Sequence, residues 1–226
     1  MKIFVLLLVL FSSFSANSLT TYRDKEINFD ILRKNKIIGS VETSFKKIDQ
    51  KLFISTVLQI KVKILFIPAY KFYQEHEEVW DKNEFIKIEG YTDFEDEREY
   101  FIKGEDKENN FIASGMDGEL ILNKDILPLN YLNKEILNEK KLFDTQKGIV
   151  REIVVKRLKD EIINIKEIQI LTEKFTLDAS TNPKDKGPFP QYTLWYAKNG
   201  ELIKFQFKNW KDNKDIITIR SDWDIN

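Results

Sequence analysis

The chain of 226 residues carries 36 Lys and Arg against 37 Asp and Glu, a formal net charge of −1. That balance, with no basic block, points away from a nucleic-acid partner. The length suits one large all-β domain or two small ones, and 42% hydrophobic and 13% aromatic residues can fill a core of that size. No Cys occurs, which excludes disulfides, thiol catalysis, thiolate metal sites and a lipobox.

At the N-terminus Lys2 precedes a short apolar run, Ile3 to Phe11, and then small and polar residues from Ser12 to Ser18. The run is too short to cross a bilayer and reads as a secretory signal peptide over residues 1–18, cleaved after Ser18 or, alternatively, after Ala16. Without a lipobox or a second long apolar segment, the mature chain 19–226 is expected to be one exported domain, periplasmic and soluble, with no membrane span.

From Tyr22 onward the pattern is strand, short polar turn, strand. Ile27 to Arg33 pairs with Ile37 to Ile48 through Lys34-Asn35, and Asp49-Gln50-Lys51 leads into Leu52 to Phe66. Within that stretch Leu58, Ile60, Val62, Ile64 and Phe66 alternate with Gln59, Lys61 and Lys63, the period of a strand with one dry face and one wet face. Pro68 is expected to break the ladder, since it has no N–H to donate. Tyr70 to Trp80 and Glu84 to Thr92 follow, then a turn in the acidic run Asp93 to Glu97, then Arg98 to Gly104 and Phe111 to Ser114. Asp117-Gly118 fits a type I′ hairpin closed by Leu120 to Leu122. The period then changes: Leu129, Leu132, Ile136 and Leu137 recur at helical spacing after Pro128, which predicts one short amphipathic helix over Leu129 to Leu137. Strands resume at Gly148 to Leu158, Ile162 to Leu171 and Lys174 to Ala179. After a Pro-rich and Gly-rich loop, Ser180 to Pro190, come Tyr192 to Ala197, Leu202 to Lys208 and Ile216 to Trp223. The predicted fold is all-β: a large curled antiparallel meander, barrel or half-barrel, with one short helix that plugs or caps an open end.

Catalytic signals are sparse. His76 is the only His and sits in Glu75-His76-Glu77-Glu78, where strand alternation lets at most His76 and Glu78 converge; a solvated or cross-strand-paired segment is the plainer reading. No HExxH, G-x-S-x-G, G-x-G-x-x-G or P-loop occurs, and nothing nominates a carboxylate pair of the glycosidase kind. No metal and no cofactor is expected. Asp144-Thr145-Gln146-Lys147-Gly148 fits either a ligand rim or, more simply, a loop tied down by Asp144 and Thr145 with Gly148 permitting the turn.

An ordered set of short motifs runs through the chain: Lys36 to Gly39, Val62-Lys63-Ile64-Leu65-Phe66 before Tyr70, Glu78-x-Trp80, Tyr91-Thr92-Asp93, Leu127-Pro128 before Tyr131, Phe143-Asp144-Thr145-Gln146-x-Gly148, and Leu194-Trp195-Tyr196. Together they resemble a bacterial family of secreted proteins catalogued as a domain of unknown function. There is a looser likeness to other periplasmic curled-sheet domains and to the half-barrel lipoprotein carriers. Leu132-Asn133 departs from the Trp-Asn expected at that place. The resemblance implies no enzymatic activity and no catalytic residues.

The inward apolar stripe leaves two readings open, plain core or, on a sheet too wide to fill itself, a lipid-sized trough. The leading expectation is a non-enzymatic binder of a lipid or other apolar molecule, lined by Leu58, Ile60, Val62, Ile64 and Phe66, with Leu132 and Ile136 of the helix gating it. The alternatives are a packed structural or interaction module of the cell envelope and, third, an envelope hydrolase using acidic residues.

Overall fold

The structure is a computed structural model that describes residues 19, 25–64, 67–94 and 99–223. The expected signal segment and its cleavage sites therefore lie outside the described residues. Strands occupy 68% of the chain. The first four are β1 (Glu26–Arg33), β2 (Lys36–Ile48), β3 (Lys51–Ile64) and β4 (Ile67–Asp81), followed by β5 (Glu84–Phe94), β6 (Glu99–Lys107), β7 (Asn110–Gly115) and β8 (Gly118–Asn123). After these come the short β9 (Leu127–Pro128), a 3-10 helix (Lys134–Asn138), β10 (Lys141–Asp144), β11 (Ile149–Arg157), β12 (Glu161–Ile165) and β13 (Ile168–Ala179). The chain closes with β14 (Tyr192–Ala197), β15 (Leu202–Lys208) and β16 (Asp215–Arg220).

These form one 16-stranded curled sheet whose pairing runs from β8 back through β1, across to β16, and on through β15, β14, β13, β11 and β10 to β9. All pairings but β9 with β10 are antiparallel. The path does not close by strand pairing, but the curl brings its two ends together: Met116 N–H, in the turn after β7, donates to Lys147 O before β11 at 2.7 Å. Gly115 and Gly148 meet at that contact, and a Cβ on Gly148 would lie 2.7 Å from Gly115 Cα.

Two-residue turns at Lys34-Asn35 and Lys82-Asn83 hold both central residues at positive φ, the twist that matches flanking strands. The Asp117-Gly118 hairpin does not: Met116 and Asp117 form the loop between the paired Gly115 and Gly118, and Gly118 alone has positive φ there, at +86°, so the expected type I′ turn is absent. Pro68 does not end the ladder either. It pairs with Lys63 inside β4 beside a register shift after Val62, a bulge at which its missing N–H goes uncalled for. The break expected between Leu171 and Lys174 falls instead at Lys166-Glu167, and β13 runs unbroken from Ile168 to Ala179. Thr172, Glu173 and Lys174 in the middle of that strand hide its continuity in a hydropathy reading.

The predicted helix is corrected as well. Leu127 and Pro128 pair with Leu142 and Phe143, and Leu129 N–H donates to Phe143 O, so the segment begins as a strand. Only Lys134–Asn138 is helical, a 3-10 turn started by Asn133, whose side chain accepts from Glu135 N–H. Apolar spacing at Leu129, Leu132 and Ile136 arises because an irregular segment is buried inside the curl, not because it is a helix.

The main core lies within the curl, where Phe29, Ile54, Trp80, Ile88, Phe111 and Phe143 pack with Leu194 and Tyr196. A smaller core sits on the outer face of β14 and β15, where Ile163, Ile165 and Ile170 of the β12–β13 hairpin cover Trp195 and Ile203. Trp195 Nε1–H donates to Glu161 Oε2 at 3.1 Å, fixing that hairpin over the sheet.

Candidate functional site

The strands of the sheet are unequal. β3 and β4 have 14 and 15 residues, whereas β14, β15 and β16 have six or seven. At about 3.3 Å per residue the long pair extends roughly 46–50 Å, about twice the reach of the short ones. Burial also changes along the long pair. On β3, Ile54 is fully buried, while Leu58, Ile60 and Val62 on the same face are half-buried. Opposite them stand Gln74, Phe72 and Tyr70 of β4.

An aromatic wall continues this surface across β4, β5 and β6. Phe72 meets Phe94 edge-on at 4.9 Å, and Phe94 meets Tyr100 edge-on at 5.8 Å. Lys147 places its ammonium 5.1 Å from the Phe94 ring centre and 5.6 Å from that of Tyr100. The result is an inward surface with a half-buried apolar side (Leu58, Ile60, Val62), an aromatic side in which Phe94 is half-buried and Phe72 and Tyr100 are buried, and a cation at one end.

That end is an ionic network. Lys147 Nζ lies 2.8 Å from Asp185; Arg151 Nε donates to Asp144 Oδ2 at 2.6 Å and its Nη1 to Asp185 Oδ2 at 3.0 Å. All four side chains are nearly inaccessible, so each charge depends on its partners. Burial alone would push the Asp185 carboxyl up, but the hydrogen bonds from Arg151 and Lys147 hold it below the usual range. Burial likewise opposes charge on Arg151, and Asp144 and Asp185 more than offset it.

Residues 127–148 fill the rest of the curl as a plug tethered to both walls. Asn130 Nδ2–H donates to Glu78 Oε1 at 2.9 Å, where Trp80 Nε1–H also donates to Oε2 at 2.9 Å. Gln74 Nε2–H donates to Thr145 O at 3.1 Å, and from the opposite wall Tyr196 O–H donates to Tyr131 O at 2.8 Å. Asp144 Oδ1 accepts from Gln146 N–H and Gly148 sits at φ +64°, the loop-tying role expected of this motif. Burial drives the phenols of Tyr131 well above their ordinary value and of Tyr192 up to about 12; they stand 4.9 Å apart among Phe189, Phe205 and Phe207 as neutral, mostly apolar groups.

Leu58, Ile60 and Val62 are half-buried, and Leu58 and Ile60 pack against the main core; Phe66 and the side chain of Ile64 lie outside the described residues. Leu132 (6% exposed) and Ile136 (0%) sit deep in the main core on the plug, away from any opening. As alternation requires, His76 and Glu78 turn inward together, with Nε2 and Oε1 3.3 Å apart, while Glu75 and Glu77 turn outward. Among the described residues no three His, Asp or Glu side chains form a cluster suited to a metal ion. Sequence reasoning missed Phe72, Phe94, Tyr100, Lys147, Arg151 and Asp185. The even-numbered row Phe72, Gln74, His76, Glu78, Trp80 carries a readable signal, since a strand with Glu and His on the same face as Phe and Trp must bury polar groups. The pairing of Lys147 with Asp185, 38 residues apart, has none.

Comparison with known proteins decides the family. A family model described as "Domain of unknown function (DUF6134)" matches residues 29–217. The chain belongs to that family. Among solved structures, the chain is similar to a β-barrel-like protein of the domain of unknown function DUF1849 from Brucella abortus: TM-score 0.61 at 12% identity, over 86% of this chain and 94% of that one. This likeness supports the fold alone. A protein described as exported, with a YmcC-like fold, from Bacteroides fragilis aligns at TM-score 0.39 and 10% identity, over 88% and 94% of the two chains. One described as a lipoprotein, from Parabacteroides distasonis, aligns at 0.33 and 12%, over 88% and 96%. Both are too distant to bear on this chain. No curated protein matches it. No helix among the described residues is long and apolar enough to cross a membrane.

Proposed function

We propose that this is an exported, non-enzymatic binding protein for an apolar or amphipathic small molecule of lipid size, held in a trough on the inner face of β3 to β6. The observation that carries the reading is the change along a single face of β3, from fully buried at Ile54 to half-buried at Leu58, Ile60 and Val62. An apolar row left half-exposed beside the core it touches has room for a cover. Leu58, Ile60 and Val62 would line the acyl side, where the alternation of the sequence also puts Ile64 and Phe66, and Phe94 the other, backed by the buried Phe72 and Tyr100. Leu132 and Ile136 would anchor the plug that floors the site rather than touch the ligand. The N-terminal pattern of residues 1–18 supports export, with the mature domain beginning after Ser18 or Ala16.

The test is native mass spectrometry with organic extraction on mature protein purified without detergent from its own compartment. A co-purifying lipid of defined mass, lost in Val62→Asp while the fold persists, is the expected result. A clean apo mass from folded protein would transfer the reading to a packed envelope interaction module. The observation favouring that second reading is the plug itself, whose Leu132 and Ile136 already fill much of the interior.

A further inference from the structure

On the outer face of the same long strands, residues that a soluble sheet would ordinarily make polar are aromatic. Tyr73 of β4, Tyr91 of β5 and Phe101 of β6 form a continuous strip with ring centres 6.3 and 5.1 Å apart. Phe101 stands directly opposite Tyr91 and is 68% exposed. Beside the strip is an open depression of about 320 Å³ bounded by Gln59, Lys61, Lys71, Phe72, Tyr73, Tyr91 and Asp93. That volume lies at the low end of the roughly 300–1,000 Å³ typical of small-molecule sites.

Two features separate this patch from incidental surface. First, the rings are held by their hydroxyls. Tyr73 O–H donates to Glu75 Oε2 at 2.6 Å, a bond that raises its phenol. The Tyr91 phenol is raised by partial burial and then by the charge and hydrogen bond of Glu99. The Tyr73 bond restrains that ring ahead of binding. Second, the polar rim has both signs within one ring's width. Lys61 and Lys71 stand directly opposite each other across β3 and β4, a like-charge pairing that sheets disfavour, and Lys71 reaches Asp93 at 3.3 Å. Gln59, directly opposite Tyr73, adds an amide with both donors and an acceptor.

We propose that this strip is a saccharide-binding platform, with Tyr73, Tyr91 and Phe101 stacking on the C–H faces of successive sugar rings and the rim hydrogen-bonding their hydroxyls. Each sugar hydroxyl both donates and accepts, so an uncharged polyol needs carboxylate acceptors and ammonium or amide donors side by side, as Asp93, Lys61, Lys71 and Gln59 are. An anionic membrane surface would call instead for cations of one sign, and Glu75, Asp93 and Glu99 oppose it. The platform lies on the face opposite the trough and stands independently of it.

The test takes the full mature chain with two uncharged probes, the tetramers of β-1,4-linked glucose and of β-1,4-linked N-acetylglucosamine, in saturation-transfer NMR and titration calorimetry. At least one should bind. Tyr91→Ala and Phe101→Ala should each weaken it by about tenfold, the effect of losing one strong aromatic contact. Tyr91→Phe, which keeps the ring, should retain most of the affinity. Phe101 is exposed enough that its truncation leaves the melting temperature unchanged, so loss of binding there cannot be ascribed to unfolding. Wild-type protein that binds neither tetramer, or binding that both alanine variants leave intact, overturns the proposal. So does binding only to vesicles of phosphatidylethanolamine and phosphatidylglycerol, which would make the strip a membrane contact.

Discussion

The two ends of the inner face of β3 and β4 have the same alternation and similar side chains, yet one is core and the other is not. At one end Ile54 and Trp80 pack against Phe85, Ile88 and Phe111 with almost no exposure. At the other, Ile60 and Val62 remain half-open with aromatic neighbours. The difference is neither hydrophobicity nor periodicity. It is how completely other elements cover each end: Ile54 lies within the core cluster, whereas Leu58 and Ile60 touch it from half-buried positions.

The ionic network beside Phe94 should prove most fragile, because its charges are buried. Arg151→Ala would strand Asp144 and Asp185 without their shared cation, and breaking a buried pair in this way costs about 3–5 kcal/mol. Chemical denaturation should show that loss, and a loss under about 1 kcal/mol would mean water reaches the network. The same network sets an acid limit. Because the folded pKa of Asp185 is depressed, its contribution is fully present above the ordinary carboxylate pKa of about 4 and is lost as the pH falls through the folded value. The wild-type melting temperature should therefore drop below about pH 4, and Asp185→Asn, less stable at neutral pH, should drop less steeply.

A matched pair then tests the contrast along β3. Ile54→Ala should cost about 2–5 kcal/mol, the range for a fully buried branched side chain, and Ile60→Ala about 1 kcal/mol. The two positions share a face, a strand and a residue type. Equal losses would show that Ile60 is core and would remove the physical basis of the trough.

Much of this was legible beforehand. Strict alternation from Leu58 to Val62 correctly assigns an inward face, and the turns at Lys34-Asn35 and Asn199-Gly200 lie where their residues place them. What the pattern could not carry was the third dimension. Leu129, Leu132 and Ile136 are spaced as on a helix, yet an irregular plug surrounded by sheet produces the same spacing, because burial on several sides erases the difference between periods. The pairing of Asn130 with Glu78, or of Lys147 with Asp185, depends on how the sheet curls, and no local residue choice encodes it.

Smaller effects should come from the seam where the two ends of the sheet meet. Gly148→Ala forces a Cβ into a left-handed conformation and against Gly115, at a cost of about 1–3 kcal/mol. If that substitution is neutral in thermal unfolding, the seam is loose enough to open and the curl is held by the plug alone.

The smallest effect expected is at Asp117, which stitches the same seam from outside by accepting from Lys184 Nζ at 2.7 Å and Asn182 Nδ2 at 2.9 Å. Lys184 and Asn182 hold its carboxyl below the usual range, but the pair is exposed, and such contacts contribute only about 0.2–1 kcal/mol. Asp117→Ala should accordingly leave global unfolding almost unchanged while speeding amide exchange at Met116, whose N–H bonds Lys147 O across the seam. Faster exchange confined to Met116 and its neighbours would show that the seam opens by itself. Faster exchange extending to Thr145 and Gln74 would show that the seam and the plug open as one unit, so that access to the trough would be governed by the whole plug and not by its rim.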